Sequence, residues 1–334
     1  MDAGLIIEWV IKSAIILLVM TGGFAYTTLY ERKVLARMQV RVGPNRAGPL
    51  GALQPVADGL KLIFKEELIP ATADKVLFIA APVITVIPAL IVTAVIPWGE
   101  EVNLFGRTVA LHLADVNIGV LYIMAVTSIS VYGITLAGWS SNNKYATLGG
   151  LRSTAQMISY ELALGFAMIA PVMLAGSLRV MDIVQGQRAV PYILLQPLAF
   201  LIYFASSLAE VNRAPFDMPE AEQELTAGYH TEYSGMKFAL FFMAEYIKMI
   251  GIAMIGATLF LGGYLGPLVD VFPWLGPIYL FIKVALWLFV MIWVRATLPR
   301  IRYDRLMKFG WKVLFPLALL NVLVTAAVDT LVGG

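Results

Sequence analysis

Two carboxylates and a lysine stand where the surrounding sequence is apolar. Glu161 follows Tyr160, Glu245 precedes Tyr246, and Lys248 comes three residues later on the same helical face. An ionised group inside a bilayer costs a few kcal/mol even on mild insertion scales, about 3 for the acids, so such residues usually line a path or form a pair. A carboxyl withdrawn from water tends toward its neutral form and can then exchange protons near neutral pH. Between these two acids the sequence concentrates more: Glu210, Asp217, Glu220, Glu222, Glu224 and Glu232, opposed only by Arg213 and Lys237. Pro215 and Pro219 interrupt any long helix there and fold the segment back on itself. Taken alone this is a solvated acidic loop. Taken with Glu161 and Glu245 it is a proton-loading chain whose members titrate as a coupled set. Lys248 either pairs with Glu245 or is a relay member itself. His230 reads as a loop hydrogen-bonding group before a proton carrier, and His112 receives no role.

The elements that must hold these groups are membrane helices. Of 334 residues 60% are hydrophobic and only 14% charged, against about 45–50% and 25% for soluble domains. Eight continuously apolar runs lie near 10–30, 76–96, 116–137, 155–176, 190–209, 238–262, 277–296 and 313–330. The expected fold is an all-α polytopic membrane protein forming a single integral domain over 1–334, with long loops at 31–75 and 210–237. Continuous apolarity without alternation rules out a β-barrel. Asp2 and Glu8 at the start do not read as a cleaved signal peptide.

Composition excludes several chemistries. With no cysteine there are no disulfides, thiolate nucleophiles or cysteine-ligated clusters in this chain, and two histidines are too few for a bis-histidine haem bundle. No phosphate loop or dinucleotide turn occurs. A net charge of +2 gives no reason to expect nucleic acid as a partner.

Of 24 basic residues, only Arg107, Arg179 and Arg188 fall in the even-numbered loops, with Lys12, Lys248 and Lys283 inside spans. The remainder crowd the odd-numbered loops, which are therefore expected to face the cytoplasm, with both termini on the opposite side. Lys283 is placed to snorkel to the outer interface, and Glu8 and Lys12 form an i,i+4 pair at the outer end of span one. The first long loop carries Arg41-Val42-Gly43-Pro44-Asn45-Arg46, whose Gly, Pro and Asn demand turns. A helix should follow with Pro55 in its first turn. Leu53, Val56, Leu60 and Ile63 would share one face, with Gln54, Asp58, Lys61 and Lys65 on the other. That pattern suits a helix lying along the membrane surface. On pattern alone it is as well explained by an interfacial anchor as by a binding site, and Arg41 and Arg46 read first as contacts to lipid phosphate.

These motifs carry a family resemblance. Glu31-Arg32-Lys33, Gln39 through Asn45, Gln54-Pro55-Val56-Ala57-Asp58-Gly59-Leu60-Lys61, Ile158-Ser159-Tyr160-Glu161, Ala209 through Asp217, Glu232-Tyr233, Ala244-Glu245-Tyr246 and Pro299 through Asp304 resemble the quinone-site membrane subunit of respiratory complex I. That family comprises the H subunits of bacterial NADH-quinone oxidoreductase and, in mitochondria, NADH dehydrogenase subunit 1. The resemblance covers essentially the whole chain. It implies an inner-membrane (bacterial plasma membrane) subunit of a proton-translocating enzyme, without a complete active site or redox cofactor of its own. Flavin and iron–sulfur clusters would reside on partner subunits, and the quinone would be the substrate. Peripheral-arm quinone-site subunits, small membrane subunits and antiporter-like subunits would be neighbours. Carried over by position, Arg32, Arg41, Asp58, Lys61, Phe238 and Phe242 would border the quinone chamber. Asp58, Glu161, Glu210, Asp217, Glu220, Glu222, Glu224, Glu232, Glu245 and Lys248 would form the proton path, and no metal site is expected. Lys248 departs from the neutral side chain of many relatives. The rival readings are the homologous subunit of a membrane-bound hydrogenase or of a ferredoxin- or F420-dependent complex, then a cation/proton antiporter or a structural anchor.

Tags inserted after Thr108, after Gly186 and at the C-terminus are expected to report the non-cytoplasmic side in a protease or alkaline-phosphatase assay. A cytoplasmic report from the C-terminus would overturn the eight-span topology.

Overall fold

The computed structural model describes residues 3–104, 107–218 and 227–332. Helices dominate. In chain order they are α1 (Ala3–Met38), α2 (Gln54–Ile63), α3 (Lys75–Ile91), α4 (Gly119–Ser140), α5 (Lys144–Ala175), α6 (Val180–Gln185), α7 (Tyr192–Leu195), α8 (Pro197–Glu210), α9 (Gly235–Phe260), α10 (Gly276–Thr297), α11 (Tyr303–Phe309) and α12 (Phe315–Val332). A π turn at Gly310–Leu314 joins the last two. The one departure from helix among the described residues is a small hairpin, β1 (Glu101–Leu104) with β2 (Arg107–Ala110), antiparallel with Glu101 opposite Ala110. The chain is an integral membrane protein with seven described helices long and apolar enough to cross a bilayer, and a shorter apolar one at Pro197–Glu210.

That shorter helix is where the expected fifth span differs. Instead of one run over 190–209 the chain breaks at Gln196, whose φ of −130° and ψ of 55° are not helical. Pro197 supplies no amide hydrogen and starts a new helix there. The backbone at the break stays satisfied locally, Gln196 N donating to Tyr192 O at 2.7 Å and Phe200 N to Gln196 O at 3.0 Å, and the Gln196 side chain is held by α12. Gln196 Nε2 donates to Thr325 Oγ1 at 2.9 Å, and Asn321 Nδ2 donates to Gln196 Oε1 at 3.1 Å.

Two boundaries also move. Glu31, Arg32 and Lys33, expected in the first loop, continue α1, because no Gly or Pro interrupts the chain until Gly43. Likewise Arg305 and Lys308 lie in α11, so the last helix starts ten residues before the apolar run does. Charged residues with good helix propensity extend a helix past the hydrocarbon, which a hydropathy window cannot register.

The helices pack through small residues and caps. Asp74 caps α3, accepting from Val76 N and Leu77 N at 3.1 and 3.3 Å. Asn143 caps α5, which ends at Gly176 in the left-handed conformation. Where α3 crosses α4, a Cβ on Gly133 would lie 2.0 Å from Thr85 Oγ1 and 2.9 Å from the Ala81 carbonyl oxygen, so only glycine permits this approach. The helix α9 is central, with 67% of its apolar window buried in the chain, whereas α1 has 6%. The residues of chemical interest are therefore hung mainly on α9 and on the loop that precedes it.

Gly133→Val must separate α3 from α4 by forcing a side chain onto backbone. The purified protein is expected to lose about 1–3 kcal/mol of stability, read as a lower midpoint of thermal unfolding in detergent. An unchanged midpoint would show that this contact does not hold the pair together.

Candidate functional site

Four charged side chains and a tyrosine from separate elements meet where α1, α9 and α10 converge. Glu31, 3% exposed, is at the centre. Arg213 Nη1, from the loop after α8, donates to Glu31 Oε1 at 3.1 Å, and Tyr246 Oη donates to Glu31 Oε2 at 2.7 Å. Arg295, in the last turn of α10, pairs with the same carboxylate. Arg213 Nε lies 2.6 Å from Glu245 Oε1, an ion pair in which no acceptor is aligned for a hydrogen bond from that nitrogen. Its guanidinium carbon sits 4.4 Å from the centroid of the Tyr246 ring. Two guanidinium groups thus balance two carboxylates, and the buried one also stacks, which lysine could not do. Burial pulls the Arg213 pKa down, but the carboxylates of Glu245 and Glu31 more than offset it and hold the group above its usual range. The expected alternative of a Glu245–Lys248 pair is therefore corrected. Glu245 is taken by Arg213, and Lys248 makes no ion pair among the described residues.

From this cluster an aromatic row runs along α9 toward its start. Phe242 and Tyr246 have ring centroids 4.9 Å apart, and Phe238 stacks on Phe242 at 6.1 Å and 19°. The spacing of four places all three on one helical face. Phe24 of α1 adds a tilted contact to Tyr246 at 6.0 Å. Beside the start of α9 lies the residue pair expected of the chamber: Arg32 Nη1 is 2.7 Å from Asp58 Oδ2, and Gln54 Nε2 donates to Asp58 Oδ1 at 3.1 Å. The stretch after α2 crosses the first turn of α9, with Lys237 paired to Glu67 and Ser234 Oγ donating to the Glu66 carbonyl at 3.2 Å. Lys61 points to solvent from α2, a helix with no buried residue. Arg41 is not brought to the Arg32–Asp58 pair. It is exposed, and its Nε donates to Gln39 Oε1 at 2.7 Å.

The loop bearing Arg41 is nevertheless fixed. Lys33 Nζ donates to the Leu50 carbonyl at 2.6 Å. Gly51, at a φ of 75°, lies so close to Pro44 that a Cβ would sit 2.2 Å from its carbonyl oxygen. This rigid loop presents Val40, 95% exposed at a φ of 54°. A β-branched residue with positive φ is strained, and here it is also uncovered.

On the other side of the cluster are the acids expected of a proton path. Glu210, 2% exposed, and Lys248 line two cavities of about 20 Å³ each. One extends toward Thr127 and Ser130, and the other toward Asn212, Tyr229 and Glu245. Each is large enough for one water, and the second also presents polar surface to it. Glu210 Oε2 is buried without a hydrogen-bond partner among the described residues. Glu161 contacts Ser128 Oγ and is near enough to Glu210 and Lys248 for their charges to interact. Asp217 adds its charge to the surroundings of Glu245. Glu232 is placed elsewhere, accepting from Asn143 Nδ2 at 2.6 Å beside the start of α5. Glu220, Glu222 and Glu224 lie outside the described residues.

Two further outcomes bear on the site. His230 is enclosed by Tyr229, Phe238 and Phe241, and burial pushes its pKa down to about 3, which keeps it neutral across pH 5 to 8 and unfit as a carrier. Lys283 does not snorkel away. Its Nζ donates to the Leu261, Gly263 and Leu265 carbonyls, each at 2.7 Å, and so caps the end of α9. The Glu8–Lys12 pair forms as expected, at 2.5 Å.

Sequence reasoning missed the roles of Glu31, Arg295 and Gln156. Glu31 and Arg295 were legible only as charges at span ends. Gln156, fully buried in α5, donates from Nε2 to Ala209 O at 2.8 Å, Phe216 O at 2.7 Å and Asn212 Oδ1 at 3.2 Å, which pins the loop carrying Glu210 and Arg213. A glutamine inside an apolar run was its only signal.

The fold and site define a polytopic helical membrane protein in which a buried ion cluster joins an aromatic row to a set of intramembrane acids. A family model for NADH dehydrogenase matches residues 11–326. The chain is 53% identical over 316 residues to an H subunit of the NADH-quinone oxidoreductase of Syntrophobacter fumaroxidans, covering 95% of this chain and 94% of that protein. It is 52% identical over 324 residues to the corresponding H subunit of Thermomicrobium roseum, 94% of each chain, and 51% identical over 302 residues to that of Protochlamydia amoebophila, 90% and 91%. The chain belongs to the NADH dehydrogenase family.

Arg213→Met leaves Glu245 without its cation, and buried pairs broken from one side cost about 3–5 kcal/mol. The variant is expected to unfold at markedly lower temperature, and Arg213→Met with Glu245→Met is expected to recover part of the loss. Additive effects in this double-mutant cycle would mean that the 2.6 Å contact is not coupled.

Proposed function

We propose that this chain is a membrane subunit of a proton-translocating NADH:quinone oxidoreductase that forms the bilayer-side wall of the quinone chamber. The names of the relatives and their coverage support the complex. The observation that supports the chamber is the aromatic row Phe238, Phe242 and Tyr246, ending in a hydrogen bond on Glu31, whose chain neighbour Arg32 pairs with Asp58. Flat rings accommodate a quinone head and an isoprenoid chain, and a few polar groups orient it.

In this reading partner subunits carry the flavin and iron–sulfur clusters and deliver two electrons. Reduction also consumes two protons, so negative charge develops near Glu31 and its two arginines. Any change in how Arg213 divides its attraction between Glu31 and Glu245 alters the proton affinity of Glu245. Glu245 borders the same cavity as Glu210 and Lys248, so a single water there could pass a proton between them, with Glu161 next. Asp58 and Asp217 flank this route, and the outlying Glu232 is left off it. Val40, Arg41 and Leu50 on the rigid exposed loop offer partner subunits an apolar and basic docking surface.

Phe242→Ala is expected to raise the apparent KM for quinone about tenfold with little change in kcat, since it removes binding surface rather than chemistry. Glu245→Gln is expected to lower quinone turnover. In both, NADH oxidation by an artificial acceptor should persist. Quinone titrations on membranes, with assembly checked by native gel, decide this: assembled variants with wild-type quinone kinetics would overturn the chamber and relay assignments.

A further inference from the structure

The site described above leaves the last helix unused, and its basic end has the form of a lipid site. Arg305, Lys308 and Lys312 follow one another at three and four residues, so they share a face along about 10 Å of helix. All three are exposed, and none has an acidic partner among the described residues. Arg302, by contrast, is committed to Asp304 at 2.9 Å. Past the π turn Leu319 and Leu323 are likewise exposed, 38% and 59%, on the side of α12 away from its buried Ala318, Asn321 and Thr325. Cations thus stand above uncovered hydrocarbon on a helix that enters the bilayer.

The stripe is also held rigidly. Tyr160 of α5 donates through Oη to the Leu306 carbonyl at 2.9 Å, and its ring packs on Gly310, where a Cβ would come within 3.2 Å. Trp311 Nε1 donates to Ser159 Oγ at 3.2 Å, so this half-exposed indole is fixed beside the cations as an interfacial wall. The face toward α5 is therefore occupied, and the face bearing Arg305, Lys308 and Lys312 has no acidic partner among the described residues.

We propose that this stripe binds an anionic phospholipid, with its phosphate on Arg305, Lys308 and Lys312 and one acyl chain along Leu319 and Leu323. An acidic protein segment would satisfy the cations but would leave the leucines beneath them uncovered. An amphiphile satisfies both, and a zwitterionic lipid would gain the leucine contact without net attraction to three like charges. Each surface cation adds roughly fivefold to the preference for an anionic lipid.

The test uses the assembled complex in phosphatidylcholine nanodiscs containing a trace of photoactivatable phosphatidylglycerol or photoactivatable phosphatidylcholine. Labelled peptides are mapped by mass spectrometry. Phosphatidylglycerol is expected to label the segment 313–324 at least about tenfold more than phosphatidylcholine. Arg305→Gln with Lys308→Gln and Lys312→Gln should bring the ratio near one, while Lys308→Arg with Lys312→Arg keeps it. If the triple variant does not assemble, Lys312→Gln alone should lower the ratio about fivefold. Equal labelling by the two lipids in the wild type overturns the proposal. So does absence of lipid label together with amine-reactive cross-links from Lys308 or Lys312 to an acidic segment of another subunit.

Discussion

The charge balance around Glu31 is the constraint on which the rest of this structure depends. A buried carboxylate is tolerable only if cations and hydrogen-bond donors surround it, and here they come from three places: Arg213 from a loop, Arg295 from α10 and Tyr246 from α9. Because each lies on a different element, the cluster fixes the relative positions of α1, α9, α10 and the loop after α8. The helix α1 would otherwise be weakly held, since little of its apolar surface is covered by the chain. Neutralising the cluster with apolar residues of similar volume could keep the fold, whereas removing one partner alone leaves a buried charge uncompensated.

The helix α9 carries groups on both sides of this cluster. In eleven residues it carries Phe238, Phe242, Glu245, Tyr246 and Lys248, with the aromatic row on one side of the cluster and Lys248, beside Glu210, on the other. One helix therefore runs from a row of aromatic rings to a polar, cavity-bearing interior. Its two ends are anchored by foreign groups: Glu67 takes Lys237 at the start, and Lys283 holds three carbonyls at the finish. The helix is thus held at both ends, and the water-sized cavities around Glu210 and Lys248 lie beside its middle.

The basic end of the molecule shows two kinds of exposed surface. The loop before α2 is stiff, strained at Val40 and crowded at Gly51, which suits recognition by a shaped partner because little order remains to be gained on docking. The stripe on α11 and the π turn has no such relief. It sets three cations without an acidic partner among the described residues over hydrocarbon, which suits a ligand defined by charge and amphiphilicity. Both surfaces exist because charged residues extend helices beyond the bilayer.

Hydropathy alone determined that the chain is a bundle of membrane helices, since runs of some twenty apolar residues have no other stable environment. It also picked out Glu161, Glu245 and Lys248, because an ionisable residue in such a run is conspicuous whatever its neighbours are. Motif resemblance pointed to Asp58 and Arg32, which the structure brings together, and to Arg41, which it leaves apart. Only the tertiary structure decided the partners. Arg213 and Arg295 reach the one carboxylate of Glu31 from 182 and 264 residues away, and no periodicity encodes a pairing across that distance. The same holds for the side-chain amides of Gln156 and Gln196, whose partners lie on other elements. Periodicity is a property of one element, whereas charge neutralisation and hydrogen-bond satisfaction are properties of several elements meeting at a point.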